Sequence, residues 1–226
     1  MFPDLTRDDV FRLETSRLWL RWPRQADVPA IVRLAGERVV AKMTTSIPHP
    51  FPVEAGEHYL FETRRGNAEG RGLQLAITPK AKPDRLIGIV GVKPSSEDGR
   101  PHLGCWIGVP HWGQGFATEA AQALIDAFFA YTSHVELISS ACVLNPASRR
   151  VLEKSGFTHQ GSASMTFPAR GGAFPVHRFR LNRRAWDLST WNRADLSGQA
   201  RPEERRGEQA SGRKRRARVA RAQTAF

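Results

Sequence analysis

The residues His111-Trp-Gly-Gln-Gly-Phe-Ala-Thr-Glu-Ala carry two glycines one residue apart, Gly113 and Gly115, between an apolar stretch and an alanine-rich one. Glycine admits backbone angles closed to other residues and leaves no side chain in front of the backbone. Where a helix starts, its first N–H groups have no partner within the helix, and the helix dipole places its positive end behind them. A glycine loop that opens a helix can therefore cradle a phosphate or another anion. The competing reading is a turn that only reverses the chain. The anion reading is preferred because a strand precedes the loop and an amphipathic helix follows it.

Two well-known phosphate loops fit poorly. A dinucleotide fingerprint needs a third glycine where Thr118 stands, in a parallel strand–helix–strand unit, and the strand before this loop closes an antiparallel run. A nucleoside-triphosphate loop needs Gly-Lys-Ser/Thr, which is absent.

The elements that position the loop follow from residue spacing. Ala117 to Tyr131 has apolar residues at 117, 120, 121, 124, 125 and 128, the period of an amphipathic helix, with Glu119, Gln122 and Asp126 on the other side. Leu103 to Val109 reads as the strand before the loop, ended by Pro110, and Val135 to Val143 as the strand after the helix. Asn145-Pro146 starts a further helix, with Asn as cap and Pro at the first helical position, and Gly156 ends it in a left-handed turn that folds Phe157 back on Leu152.

Upstream, Leu13–Trp22 reads as a strand, Asp27 as the cap of a helix ended by Gly36, and Val53–Arg65 as a helix closed by Gly66. Leu73–Ile77 and Leu86–Val92 are strands, and Phe157–Phe167 and Phe174–Leu181 form a last pair turning at Arg170-Gly-Gly. The order β-α-α-β-β-β-α-β-α-β-β predicts an α/β (α+β) domain, a mixed sheet with helices on both faces.

The chain has 226 residues, 40% of them hydrophobic, enough for one sizeable core. The domain is expected over 10–187, followed by a basic tail over 188–226 that reads as disordered. From Arg193 to Phe226 there are ten Lys/Arg against four Asp/Glu, so half of the net charge of +12 lies there. A basic body suits an anionic ligand, and the tail suits weak, sequence-independent contact with a polyanion such as the ribosome. Cys105 and Cys142 are too few for a disulfide framework and are read as buried, reduced thiols. No apolar run is long enough for a membrane span, and Met1–Leu13 lacks the apolar core of a secretory signal. The expected location is cytoplasmic, with no membrane partner.

The stretches HLGCWIGVPHWGQGFATEAAQALIDAFF and NPASRRVLEKSGF together resemble the GNAT superfamily of N-acetyltransferases over about residues 13–187. They are most similar to its ribosomal-protein alanine N-acetyltransferase (Rim-type) branch. The resemblance implies a mostly antiparallel sheet of six to seven strands, with the fourth and fifth splayed apart. It implies an enzyme that moves an acetyl group from acetyl-CoA, without a metal, to a primary amine, foremost the α-amino group of a protein or peptide. A small amine such as an antibiotic or polyamine is the alternative acceptor, and a ribosome- or nucleic-acid-associated role through the tail is a third reading.

By the same resemblance, the N–H groups of Gly113, Gln114, Gly115, Phe116 and Ala117 hold the pyrophosphate of coenzyme A. Thr118 adds a hydroxyl, and Trp112 stands where the superfamily has Arg or Gln. Ile107 and Val109 offer backbone groups to the pantetheine arm. Asn145 is read both as a cap and as a contact to that arm.

Acetyl transfer needs a neutral amine, a stabilised oxyanion and a leaving thiolate. A backbone N–H near Ile107 would meet the oxyanion. His102 occupies the position where relatives often carry a Glu base, and an imidazole with pKa of about 6.5 would serve; the plain alternative is a surface histidine at a strand edge. The superfamily's usual Tyr acid is Leu152 here. Ser148 is then the nearest group to protonate the thiolate or bind the coenzyme, unless it only caps its helix. Acceptor specificity is expected around Met43–Pro52 and Arg170–Phe174, and His49 and His58 are read as solvated.

Overall fold

The computed structural model describes residues 1–188, which places the expected basic tail almost wholly outside the described residues. The chain divides into a compact unit, Met1–Arg183, and a second, Arg184–Phe226. The first unit begins ahead of residue 10, because Phe2 is fully buried, its N–H bonds the Gly70 carbonyl (3.0 Å) and its ring packs edge-on against Phe128.

The elements of this unit are β1 (Arg12–Glu14), β2 (Leu18–Arg21), α1 (Val28–Ala35), α2 (Arg38–Ala41), α3 (Val53–Ala68), β3 (Leu73–Pro79) and β4 (Gly88–Pro94). They continue with β5 (Pro101–Ile107), α4 (Phe116–Tyr131), β6 (Glu136–Cys142), α5 (Pro146–Lys154), β7 (Thr158–Phe167) and β8 (Gly172–Asn182). One eight-stranded sheet has the order β1-β2-β3-β4-β5-β6-β8-β7, and every pair is antiparallel except β5–β6.

The sheet has one strand more than expected because the stretch read as a single strand at Leu13–Trp22 folds back on itself. No glycine or proline marks that turn; the Thr15 hydroxyl makes it, accepting from the Leu18 N–H (2.9 Å). The strands read as fourth and fifth are therefore β5 and β6.

Three other expectations shift. Asp27 stands at the N-cap of α1, but its side chain makes no capping bond. Its buried carboxylate instead binds the Arg21 guanidinium through two oxygens (2.7 and 2.9 Å) and accepts from the Arg24 N–H (2.7 Å). α3 runs through Gly66 to Ala68, since the Asn67 amide exchanges two hydrogen bonds with the Gln74 backbone and holds the last turn against β3 (2.9 and 2.8 Å). Cys105 is exposed, whereas Cys142 is buried, and both are free thiols.

α4 follows its predicted stripe, burying Ala120, Ala121, Leu124, Ile125 and Phe128. The side chains of β5 then sort by alternation. Trp106 packs in a buried cluster with α1 and α2 residues, so Trp106, Gly104 and His102 share the α1–α3 face, and Leu103, Cys105 and Ile107 lie on the other. α5 ends as predicted. Gly156 is left-handed (φ 89°), its N–H bonds the Glu153 carbonyl (3.1 Å), and the Phe157 N–H bonds Leu152 (3.1 Å).

Candidate active site

β5 and β6 run parallel, so their C-terminal ends reach the same edge of the sheet and both α4 and α5 begin there. Yet the two strands pair only at His102↔Ile138 and Leu103↔Ser139. Beyond that point β5 stays with β4 to Ile107, and β6 stays with β8 to Cys142. The result is a wedge-shaped gap. His102 stands at its narrow end, the glycine loop on one side of its mouth, and Asn145 with the first turn of α5 on the other.

The backbone of β5 lines this gap. The Gly108 N–H donates to Ile87 (2.9 Å), which sets the antiparallel alternation: even-numbered residues bond β4, while the N–H and C=O of Leu103, Cys105 and Ile107 turn toward β6. The Leu103 carbonyl accepts the Ser139 hydroxyl (2.8 Å), and the Ile107 carbonyl accepts the Trp112 indole (2.6 Å). The amides of Cys105 and Ile107 thus face the gap beyond the end of the parallel ladder. From residue 102 to 107 the strand extends about 17 Å at ~3.4 Å per residue, room for an extended arm.

At the mouth, Gly113 and Gly115 both take positive φ (74° and 80°), and Gly115 caps α4 from the left-handed region. A Cβ on Gly113 would meet no atom within 4 Å, so the space in front of the loop is open. Trp112 is half exposed and anchors the loop through its indole. Val109 lies in a one-turn 3-10 segment, its carbonyl taken by the Trp112 N–H (3.1 Å). Gln114 reaches back to the Pro110 carbonyl (3.3 Å). Phe116, Ala117 and Thr118 form the first turn of the helix, half-buried.

The structure adds a residue that spacing alone does not bring to the loop. Arg17, on the turn between β1 and β2, donates to the Gln114 carbonyl (3.0 Å) and lies over the Phe116 ring (4.7 Å). Its guanidinium also pairs with Glu119 (2.6 Å). Glu119 in addition accepts from Thr15, Ser16 and the Arg17 N–H (2.6, 2.9 and 2.8 Å). Partial burial pushes the Glu119 pKa up, but these bonds outweigh it and hold the carboxyl below its usual value. The first turn of α4 is so clamped to the β1–β2 turn, and a cation stands beside the loop that opens α4. Between 97 and 104 residues separate the partners in sequence, so only the fold reports the contact.

At the narrow end, His102 Nε2 and the Ser140 hydroxyl are 3.1 Å apart, and Ser140 also approaches Met165 Sδ (3.6 Å). Met165 joins Met43, Cys142, Phe167, Phe174 and Val176 in an apolar cluster. Burial, then Lys93, lowers the His102 pKa to about 4, with Asp98 working weakly against them. An imidazole titrating near its ordinary value was expected; its enclosure in the sheet keeps it neutral instead. On α5, the Asn145 side chain accepts from the Ser148 N–H (3.0 Å), the cap that the sequence predicts. Asn145 and Ser148 flank the mouth and are not brought beside His102.

The expected acceptor segments do meet. The turn after β7 docks on the chain after α2: the Ala169 N–H bonds Thr45 (3.3 Å), the Arg170 guanidinium bonds the Lys42 carbonyl (2.7 Å), and that guanidinium stacks on Phe174 (3.4 Å). His49 bonds the Gly36 carbonyl (2.8 Å) at the surface, and His58 is exposed. Among the described residues, no group of three His, Cys, Asp or Glu is placed to hold a metal, and no helix is long and apolar enough to cross a membrane.

The family model of the acetyltransferase (GNAT) domain matches residues 17–158. The N-acetyltransferase p20 of Bacillus licheniformis is 27% identical over 175 residues, 77% of this chain and 97% of that protein. RimL, a ribosomal L7/L12 alpha-N-protein acetyltransferase solved with coenzyme A, superposes with a TM-score of 0.64 at 17% identity, over 77% of this chain and 99% of that one. Spermidine N-acetyltransferase from Vibrio cholerae, solved with CoA and spermine, gives 0.62 at 20% identity, over 76% and 99%. At such identities the solved structures show the shared fold. The chain belongs to the GNAT acetyltransferase family and is an acetyl-CoA-dependent N-acetyltransferase.

Proposed function

We propose that this GNAT acetyltransferase acetylates the α-amino group of a protein or peptide N-terminus. The observation that carries the choice is the chemistry of the α1–α3 face at the narrow end of the gap. There a neutral histidine and Ser140 stand beside an apolar wall that includes Met165. A polycation would want carboxylates at that place. Glu54 and Glu57, the acids available on α3, are exposed, while Gly56 and Leu60 of the same helix are the buried positions.

In this reading the left-handed Gly113 and Gly115 and the amides that open α4 hold the pyrophosphate of acetyl-CoA, and Arg17 adds a cation. The Cys105 and Ile107 amides bind along the gap, and one of them meets the oxyanion. His102 and Ser140 accept the hydrogen bonds of the neutral amine. Asn145 braces α5 and presents Ser148 at the mouth for the departing sulfur or the coenzyme. The basic residues 193–226 provide weak polyanion or ribosome contact by charge alone.

The test is a panel of N-terminal peptides, lysine peptides and small amines, read as thiol release from acetyl-CoA. A preference for N-terminal peptides is expected. A preference for amines like that of the spermidine N-acetyltransferase from Vibrio cholerae would overturn the acceptor assignment.

A further inference from the structure

β7 is an edge strand, and its ladder with β8 carries one irregularity. His159 stands opposite Phe179 and Ser162 opposite His177, so the two positions are three residues apart on β7 and two apart on β8. The extra residue lies in the Gln160-Gly161 step, where Gly161 has a φ of 108°, in the range that favours glycine. In a regular strand residues 159 and 162 would point to opposite faces. The bulge returns both to one face, together with His177 and Phe179. The positions that alternate with these, Ala163, Met165, Phe174 and Val176, belong to the apolar cluster on the other face.

Three polar atoms converge beside the bulge. His159 Nε2 lies 3.3 Å from His177 Nδ1, and the Ser162 hydroxyl lies 3.2 Å from the same nitrogen. An imidazole nitrogen has one proton or one lone pair, so His177 Nδ1 serves one of these neighbours and leaves the other wanting. The two rings are steeply inclined (76°, centroids 5.1 Å apart), and His159 rests on the Phe179 ring (5.4 Å). His159 and Ser162 are exposed and His177 is half-buried, so the three atoms are open to solvent. The Gln160 amide does not compete, since it bonds back to the Thr158 carbonyl and hydroxyl.

A cation uses several lone pairs at once, which hydrogen bonding at a single nitrogen does not. Two nitrogen ligands of a tetrahedral zinc ion, each ~2.0–2.1 Å from it, are about 3.3–3.4 Å apart. A square-planar ion at the same bond length would draw them to about 2.8–3.0 Å. The 3.3 Å between His159 and His177 is the tetrahedral spacing. We propose that His159 Nε2 and His177 Nδ1 together bind a zinc ion on this face of the β7–β8 hairpin, with water completing the tetrahedron and the Ser162 hydroxyl accepting from one of those waters. With two protein ligands, fewer than a structural or a catalytic zinc site has, the ion is exchangeable. It takes no part in acetyl transfer, since β6 stands between β8 and the gap beside β5. What it does is tie the edge strand to β8 across the bulge, where the ladder is interrupted.

The test is calorimetric titration of the untagged full chain with zinc chloride, after metal has been stripped with a chelator and the chelator removed. One zinc per chain is expected. His159→Gln and His177→Gln should each weaken it at least roughly tenfold, because losing an outer-shell partner alone costs roughly 10–100-fold. Acetyl-CoA affinity, expected unchanged in both variants, reports that they are folded. In the wild type, zinc should shift the ring signals of His159 and His177 in a ¹⁵N-labelled spectrum and leave those of the other five histidines still. Wild-type zinc affinity in either variant, or zinc binding that leaves these two rings still, overturns the proposal. So does a wild type that binds no zinc, which would make the contact a hydrogen-bonded pair and nothing more.

Discussion

The pH dependence of turnover separates two roles for His102. If His102 were the proton sink, it would have to take a proton from an ammonium of pKa about 8. With its own pKa lowered to about 4 by burial and by Lys93, that transfer runs uphill by roughly four pK units, about 5 kcal/mol at ~1.36 kcal/mol per unit. Selecting the amine already neutral in solution, about a tenth of it at pH 7, costs only about 1.4 kcal/mol. The second route is cheaper, so kcat/KM should rise about tenfold per pH unit through pH 6–7 and level off near the pKa of the amine. The limb should move with the amine when acceptors of different pKa are compared. His102→Ala should lower the plateau by roughly 3- to 10-fold, the worth of a lost hydrogen bond, instead of the ~10²–10⁴-fold of a lost general base. The assay is initial-rate thiol release from pH 5 to 9 with an N-terminal peptide. A limb between pH 6 and 7 that vanishes in His102→Ala would refute the reasoning.

Five further outcomes are expected. Gly115→Glu places a side chain at φ 80° and an anion before the proposed phosphate site; with ~1–2 kcal/mol of backbone strain alone, calorimetry should show acetyl-CoA affinity reduced at least tenfold. Arg17→Ala should weaken acetyl-CoA about fivefold, less at high salt, since the guanidinium is half exposed and screened. Asp27→Ala leaves the buried Arg21 without its partner and should cost about 3–5 kcal/mol in denaturant unfolding. Because the His102 pKa is lower folded than unfolded, the unfolded chain binds more protons between about pH 4 and 6.5; the stability present above pH 6.5 is lost as pH falls through that window, and His102→Gln should flatten the loss. Finally, deletion of residues 193–226 should leave peptide turnover intact and reduce retention on ribosomes or RNA at low salt; retention equal to that of the full chain would end the docking idea.

Much of the fold could be read from local signals, because those signals act over a few residues. The stripe of α4, the Asn145-Pro146 start and the Gly156 stop of α5, and the turn at Gly171 stand where the residues place them. Two of the misreadings share a cause, a side-chain partner that took over a local rule, and the third is a turn made by a hydroxyl. Asp27 has the composition of a cap, but Arg21 claims its carboxylate. Gly66 has the composition of a stop, but Asn67 ties the next turn of α3 to β3. Thr15 turns the chain with its hydroxyl where no glycine or proline announces a turn.

The division between sequence and structure is sharpest at the site. The sequence by itself determined that a glycine loop opens α4, since two glycines stand between a strand and an amphipathic helix, and the joint motifs identified the family. It also has Leu152 at the position where the resemblance implies a tyrosine acid. Only the tertiary structure decided the rest. It opened β5 from β6 after two pairs, set Arg17 beside the loop, and enclosed His102 so that its imidazole stays neutral. Splaying, long-range ion pairs and burial are properties of residues far apart in the chain, and a pKa depends on the solvent that those residues exclude.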